Sequence, residues 1–144
     1  MKDTIKPPAS SDAYRLVWRD VARQSSARRV IATIIPPGVV TGNSLNVLIP
    51  KRMSYELLLA VLGVFNSVIF EAQVRASIST NHLSVGAIRR IRVPDLSSRT
   101  NVERVSKLVE KQLRKPSELY LAQIDVEVAQ WYGLPSETYL DLLT

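Results

Sequence analysis

The chain has 144 residues, 46% of them hydrophobic, which is enough for one globular domain, alone or with a helical extension. It has no cysteine, which excludes disulfides and thiolate metal sites and suits a reducing cytoplasm, the expected location. The net charge of +6 is one-sided: residues 1–52 hold nine Lys/Arg against three acids, whereas residues 53–96 balance at +1 and residues 97–144 at −1, a bias that attracts polyanions.

Residues 1–13 read as a flexible leader, because Pro7, Pro8, Ser10 and Ser11 disfavour regular structure and no apolar stretch marks a signal peptide. A first strand is expected over Tyr14–Arg19, where aromatic and β-branched residues alternate with arginines. A second, Arg29–Ile35, is a β-branched run stopped by Pro36-Pro37-Gly38. A loop through Gly42-Asn43 leads to a third, Leu45–Ile49, ended by Pro50. From Ser54, a candidate N-cap, to about Ala76 the apolar positions 57, 58, 61, 62, 65, 68, 69 and 72 recur at helical spacing. The apolar run Leu57–Phe70 inside it is interrupted by Gly63, Asn66 and Ser67 and falls short of the roughly 20 residues that span a bilayer, so a buried core helix is expected and no membrane partner. Ser77–Ser84 reads as a polar loop, and Val85–Val93 as one or two short strands with Ile88, Ile91 and Val93 facing the core. Asn101 is expected to cap a helix to about Arg114. After Pro116, Ser117 is expected to cap another over Glu118–Tyr132, closed at Gly133, and Ser136–Leu143 adds a short final helix. The expected architecture is therefore mixed α+β. A small β-sheet globule with a packed core helix occupies residues 14–96, and a helical spacer or docking extension occupies residues 97–144.

Catalytic chemistry finds little support. His82 is the only histidine, with no metal-ligand spacing around it; Asp95 follows Pro94 without a downstream Glu-x-Lys; the five glycines are scattered; and no Asn-Pro-Pro-aromatic motif is present. A protein that is not an enzyme, with no cofactor and no metal, is expected. The residues suit DNA better. Arg15, Arg19, Arg23, Arg28 and Arg29, with Trp18 among them, combine phosphate clamping with guanine reading. The polar loops supply Thr41, Asn43 and Ser44, followed by Asn46, and then Thr80, Asn81 and His82; of these Asn43, Asn46, Asn81 and His82 are the candidate base readers. Arg89, Arg90 and Arg92 form a second basic cluster, with Arg89 and Arg90 among the candidate DNA contacts. Two alternatives stay open: a helical interaction module, including self-association through residues 101–132, and a small basic RNA-binding protein. The sequence lacks the paired aromatics that stack on single strands.

Four ordered segments carry a resemblance: YRLVWRDVAR with SSARRVIATIIPPGVVTGNSLNVL; the helix LLAVLGVFNSVIFEAQVR; HLSVGAIRRIRVPDL; and the tail IDVEVAQWYGLPSETYLDLL. Together they resemble the TaqI-like C-terminal specificity domain that follows N6-adenine methyltransferases in fused restriction–modification proteins of the type IIG and IIS-associated kinds. The similarity runs from Tyr14 to Leu143, with Phe65 where the family pattern has leucine before Asn-Ser. It implies a target-recognition domain set against the DNA major groove. It also implies methyltransferase and nuclease domains as partners, in the same chain or as separate ones, docked through the C-terminal helices.

Overall fold

The computed structural model describes residues 14–39, 44–48 and 51–135; the expected leader, the loop residues Thr41 and Asn43, and the final helix lie outside them. Three strands, β1 (Arg15–Arg19), β2 (Ala32–Ile35) and β3 (Leu45–Leu48), form an antiparallel sheet in the order β2-β1-β3, with Trp18 opposite both Ala32 and Asn46. Five helices follow among the described residues: α1 (Tyr55–Phe65), α2 (Val68–Ser77), α3 (Val85–Ile88), α4 (Arg99–Arg114) and α5 (Glu118–Tyr132). The expected mixed α+β class is the observed one, and α4 and α5 pack together as a C-terminal pair.

The central strand explains the three-strand reading and also limits it. Leu16, Val17 and Trp18 are all buried, so β1 is covered on both faces. The second strand is shorter than the apolar run predicts. The backbone N–H groups of Arg29 and Val30 both donate to the Glu71 carboxylate, at 2.9–3.0 Å, so pairing with β1 begins only at Ala32.

The long helix expected from residue 54 is two helices bent by 59°. Ser67 causes the break: its hydroxyl donates to the Val64 carbonyl (2.7 Å) and accepts from the Phe70 N–H (3.3 Å), which starts α2. Asn66 turns the break into a tie. Its side-chain amide donates to the Ala32 carbonyl and its Oδ1 accepts from the Ala32 N–H, both at 3.0 Å, as a neighbouring strand would. Residues Leu58 through Phe65 are buried in succession, so α1 is the core helix, lying between the sheet and the α4–α5 pair. No single helix among the described residues is long and apolar enough to cross a membrane.

Val85–Val93 contains no strand. Ser84 caps the one-turn helix α3 through the Ala87 N–H (3.2 Å). Its apolar residues at 85, 88 and 91 recur every three positions, a helical rather than a β spacing. Ile88 and Ile91 do enter the core, whereas Val93 is exposed. The α4 helix begins earlier than expected: Ser98 is the N-cap position, and Asn101 lies in the first turn with its amide on the Ser98 hydroxyl (2.8 Å). The α5 helix has the expected bounds, from the Ser117 cap to Gly133 in the left-handed conformation (φ 79°).

Candidate nucleic-acid interface

Ser44 and the loop of residues 79–83, far apart in sequence, meet at the end of β1. Asp20, one residue past the strand, donates its N–H to the Ser44 carbonyl (2.9 Å) and accepts at its own carbonyl from the Leu83 N–H (2.7 Å). Val21 pairs antiparallel with His82, and the Ala22 N–H donates to the Asn81 carbonyl (2.6 Å). Gln24 reaches the Ser79 carbonyl at 2.6 Å. Residues 79–83 therefore run alongside residues 20–24 as a short added ribbon, and Asp20 sits at the junction of three segments.

The Asp20 carboxylate organises this junction. One oxygen accepts from Asn46 Nδ2 (2.9 Å), and the other faces His82 Nδ1 at 2.7 Å. These hydrogen bonds, that of His82 first, hold the carboxyl below its ordinary range, so it stays ionised and acts only as an acceptor. An ionised carboxylate takes its proton from Nδ1, and Nε2, on a side chain 65% exposed, has no partner among the described residues. The Thr80 hydroxyl donates to the His82 carbonyl (3.2 Å) and so stiffens the loop without engaging the ring. Among the described residues, no group of three or more His, Asp or Glu side chains is placed to share a metal ion.

The sequence-predicted contact residues separate into three groups. Arg19, Arg23, Ser44, Thr80, Asn81 and His82 are exposed around this junction, and Arg89 and Arg90 are exposed at the end of α3. Arg15 and Arg28 are half-buried and bonded internally, to the Val39 and Asn66 carbonyls respectively. Trp18, Arg29 and Asn46 are corrections. Trp18 is 1% exposed and its indole N–H donates to the Leu83 carbonyl (2.6 Å), so it cannot lie on DNA. Both amide hydrogens of Asn46 are taken, by Asp20 and by the Leu83 carbonyl (2.8 Å), which removes the donors that an adenine reader needs. Arg29 is fully buried. Its guanidinium donates to the carbonyls of Ala22 (3.1 Å), Ile78 (2.6 Å) and Thr80, clamping together the two loops of the junction.

Several residues that shape this junction and its surroundings were not among the sequence candidates: Asp20, Asn66, Glu71 and Arg75. Arg75 pairs with Glu71 (2.9 Å) and donates to the carbonyls of Gln24, Ser26 and Ala27, so α2 holds the whole 24–30 segment from beneath. The signal available for Glu71 was an acid set inside the apolar segment FNSVIFEAQVR, since a buried charge requires partners. Asp125 closes the opposite side of the α1–α2 break. It accepts from the Val68 N–H (2.9 Å), and burial pushes its carboxyl above the ordinary range. No protein-family model, curated protein or solved structure matches the chain.

Proposed function

We propose that this protein reads duplex DNA through the junction at the end of β1, as the specificity part of a restriction–modification system, and performs no chemistry itself. The observation that carries the reading is the convergence of Arg19, Arg23, Asn81 and His82 on one braced polar junction built around Asp20. Arginines beside short polar readers are the combination that duplex recognition uses: the cations hold phosphates, and the side chains on a rigid backbone address base edges. The Asp20–His82 pair supports the same reading, because a ring fixed at Nδ1 presents Nε2 at a defined position at little further cost in side-chain entropy. The restriction–modification context rests on the four ordered sequence segments. In that context a methyltransferase or nuclease partner supplies the reaction and part of the clamp on the duplex.

The test is a fluorescence-anisotropy titration of the full chain with mixed-sequence duplex DNA at several salt concentrations. Binding at low salt is expected, with affinity falling as salt rises. The double variant Arg19→Ala/Arg23→Ala is expected to lower the slope of log affinity against log salt by about two, one for each phosphate that the variant no longer neutralises. A folded protein that ignores duplex DNA at low salt, or a double variant with the parent slope, refutes the proposal.

A further inference from the structure

The near-neutral charge of the C-terminal third is an average of two unlike helices. From Arg99 to Arg114, α4 carries five Lys/Arg against two acids, whereas α5 carries three acids and no Lys or Arg. Between them, on the side away from α1, runs an open groove of about 600 Å³. Arg104, Lys107 and Lys111 line its α4 wall at spacings of three and four, and none of them makes an ion pair among the described residues. Its apolar lining is Leu108, Ala122 and Val126, and Val126 is 42% exposed. Glu127 also lines the groove, with one carboxylate oxygen (Oε2) buried and without a hydrogen-bond partner.

We infer that this α4–α5 groove is a docking site for an acidic amphipathic helix of a partner protein. An apolar stripe on such a helix covers Leu108, Ala122 and Val126, while carboxylates at helical spacing meet the three cations, which span roughly 10 Å at about 1.5 Å per residue. The same features disfavour the other occupants. A phosphate backbone gains nothing from the apolar lining of Leu108, Ala122 and Val126. A second copy of this chain brings the same three cations to the interface and, on α5, only Glu118 as an exposed acid. The inference does not depend on the DNA reading, which concerns the opposite end of the sequence.

The test uses the full chain and a labelled helical peptide of about 18 residues, with a leucine stripe flanked by glutamates, beside a counterpart carrying lysine at each glutamate. The acidic peptide is expected to bind, less tightly as salt rises, and at least about tenfold more tightly than the basic one. Arg104→Glu/Lys107→Glu/Lys111→Glu is expected to weaken the acidic peptide by about tenfold or more and to favour the basic one. Val126→Asp is expected to weaken both, with circular dichroism confirming that each exposed-surface variant stays folded. The inference is overturned if the acidic peptide does not bind, if the two peptides bind alike, or if either variant binds the acidic peptide as the parent does. It is also overturned if the triple variant loses duplex DNA instead, or if sedimentation shows a parent dimer that the triple variant splits. Failure of duplex binding with peptide binding intact refutes the DNA reading alone.

Discussion

Arg28 and Arg29 are adjacent and chemically identical, yet one bonds the Asn66 carbonyl at a half-buried site while the other lies wholly inside and donates to three carbonyls of two loops. Nothing in their types separates them. What separates them is the backbone, which turns at this point because Glu71 takes the N–H groups of Arg29 and Val30. Arg29→Met leaves the Ala22, Ile78 and Thr80 carbonyls without their donor and is expected to cost about 3 kcal/mol, the scale for breaking a buried charged network. Arg29→Lys is expected to recover only part, since an ammonium cannot reproduce the planar fork. Urea unfolding measures both, and hydrogen exchange should rise selectively in residues 20–23 and 79–83. A methionine variant with parental stability excludes the clamp. Burial of this kind was not legible from composition: an arginine in a basic cluster reads as a surface residue until its neighbours in space are known. The exposure of Arg23, Asn81 and His82 was legible, because polar loops between apolar runs emerge at the surface for want of backbone partners inside.

At the scale of elements, the close approach of α1 to α4 depends on one glycine. A Cβ at Gly63 would lie 2.7 Å from Val105 Cγ1 and 2.9 Å from Val109 Cγ2, methyl groups on buried, stiff, β-branched side chains. Alanine favours the helix by about 1 kcal/mol, but overpacking of this kind costs about 1–3 kcal/mol, so Gly63→Ala is expected to be net destabilising, by up to about 2 kcal/mol. A double-mutant cycle with Val105→Ala is expected to show a favourable coupling above about 0.5 kcal/mol, and additive effects count against the contact. The apolar periodicity from residue 57 identified the core helix but not its break. Asn66 and Ser67 were visible as polar interruptions, and only the cap geometry and the Ala32 pairing turn them into a boundary. The α3 misreading has a simpler cause: in so short a segment, β-branched composition pointed to a strand against a three-residue spacing that pointed to a helix.

For the whole molecule, the expected boundary near residue 96 does not divide two cores. One cluster runs from Leu16 to Trp131, and Val102, Val105, Val109, Ile124, Val128 and Trp131 all belong to it. The segment before α4 is also tied to α5. The Trp131 indole donates to the Asp95 carbonyl (2.8 Å), the Tyr132 hydroxyl donates to that of Arg92 (2.5 Å), and burial pushes the Tyr132 hydroxyl up to about 12. A fragment without those six side chains loses their share of the core and exposes the α1 face they cover, a loss on the order of 10 kcal/mol, comparable with the roughly 5–15 kcal/mol stability of an ordinary domain. A chain ending at residue 96 is therefore expected to lack a cooperative thermal transition; a sharp melt of that fragment by circular dichroism shows an independent unit.

By itself the sequence determined the α+β class, the three strands, the core helix and the bounds of α5, because period, proline stops and caps act locally along the chain. It also marked Ser44 and residues 79–82 as surface. Only the tertiary structure decided that Ser44 and residues 79–83 meet at Asp20, that Trp18 and Arg29 brace the latter from inside, and that α4 and α5 complete the core while opening a cationic groove outward. Those outcomes depend on which distant groups satisfy each other's hydrogen bonds and cover each other's apolar faces, and pattern within a single segment carries no record of that.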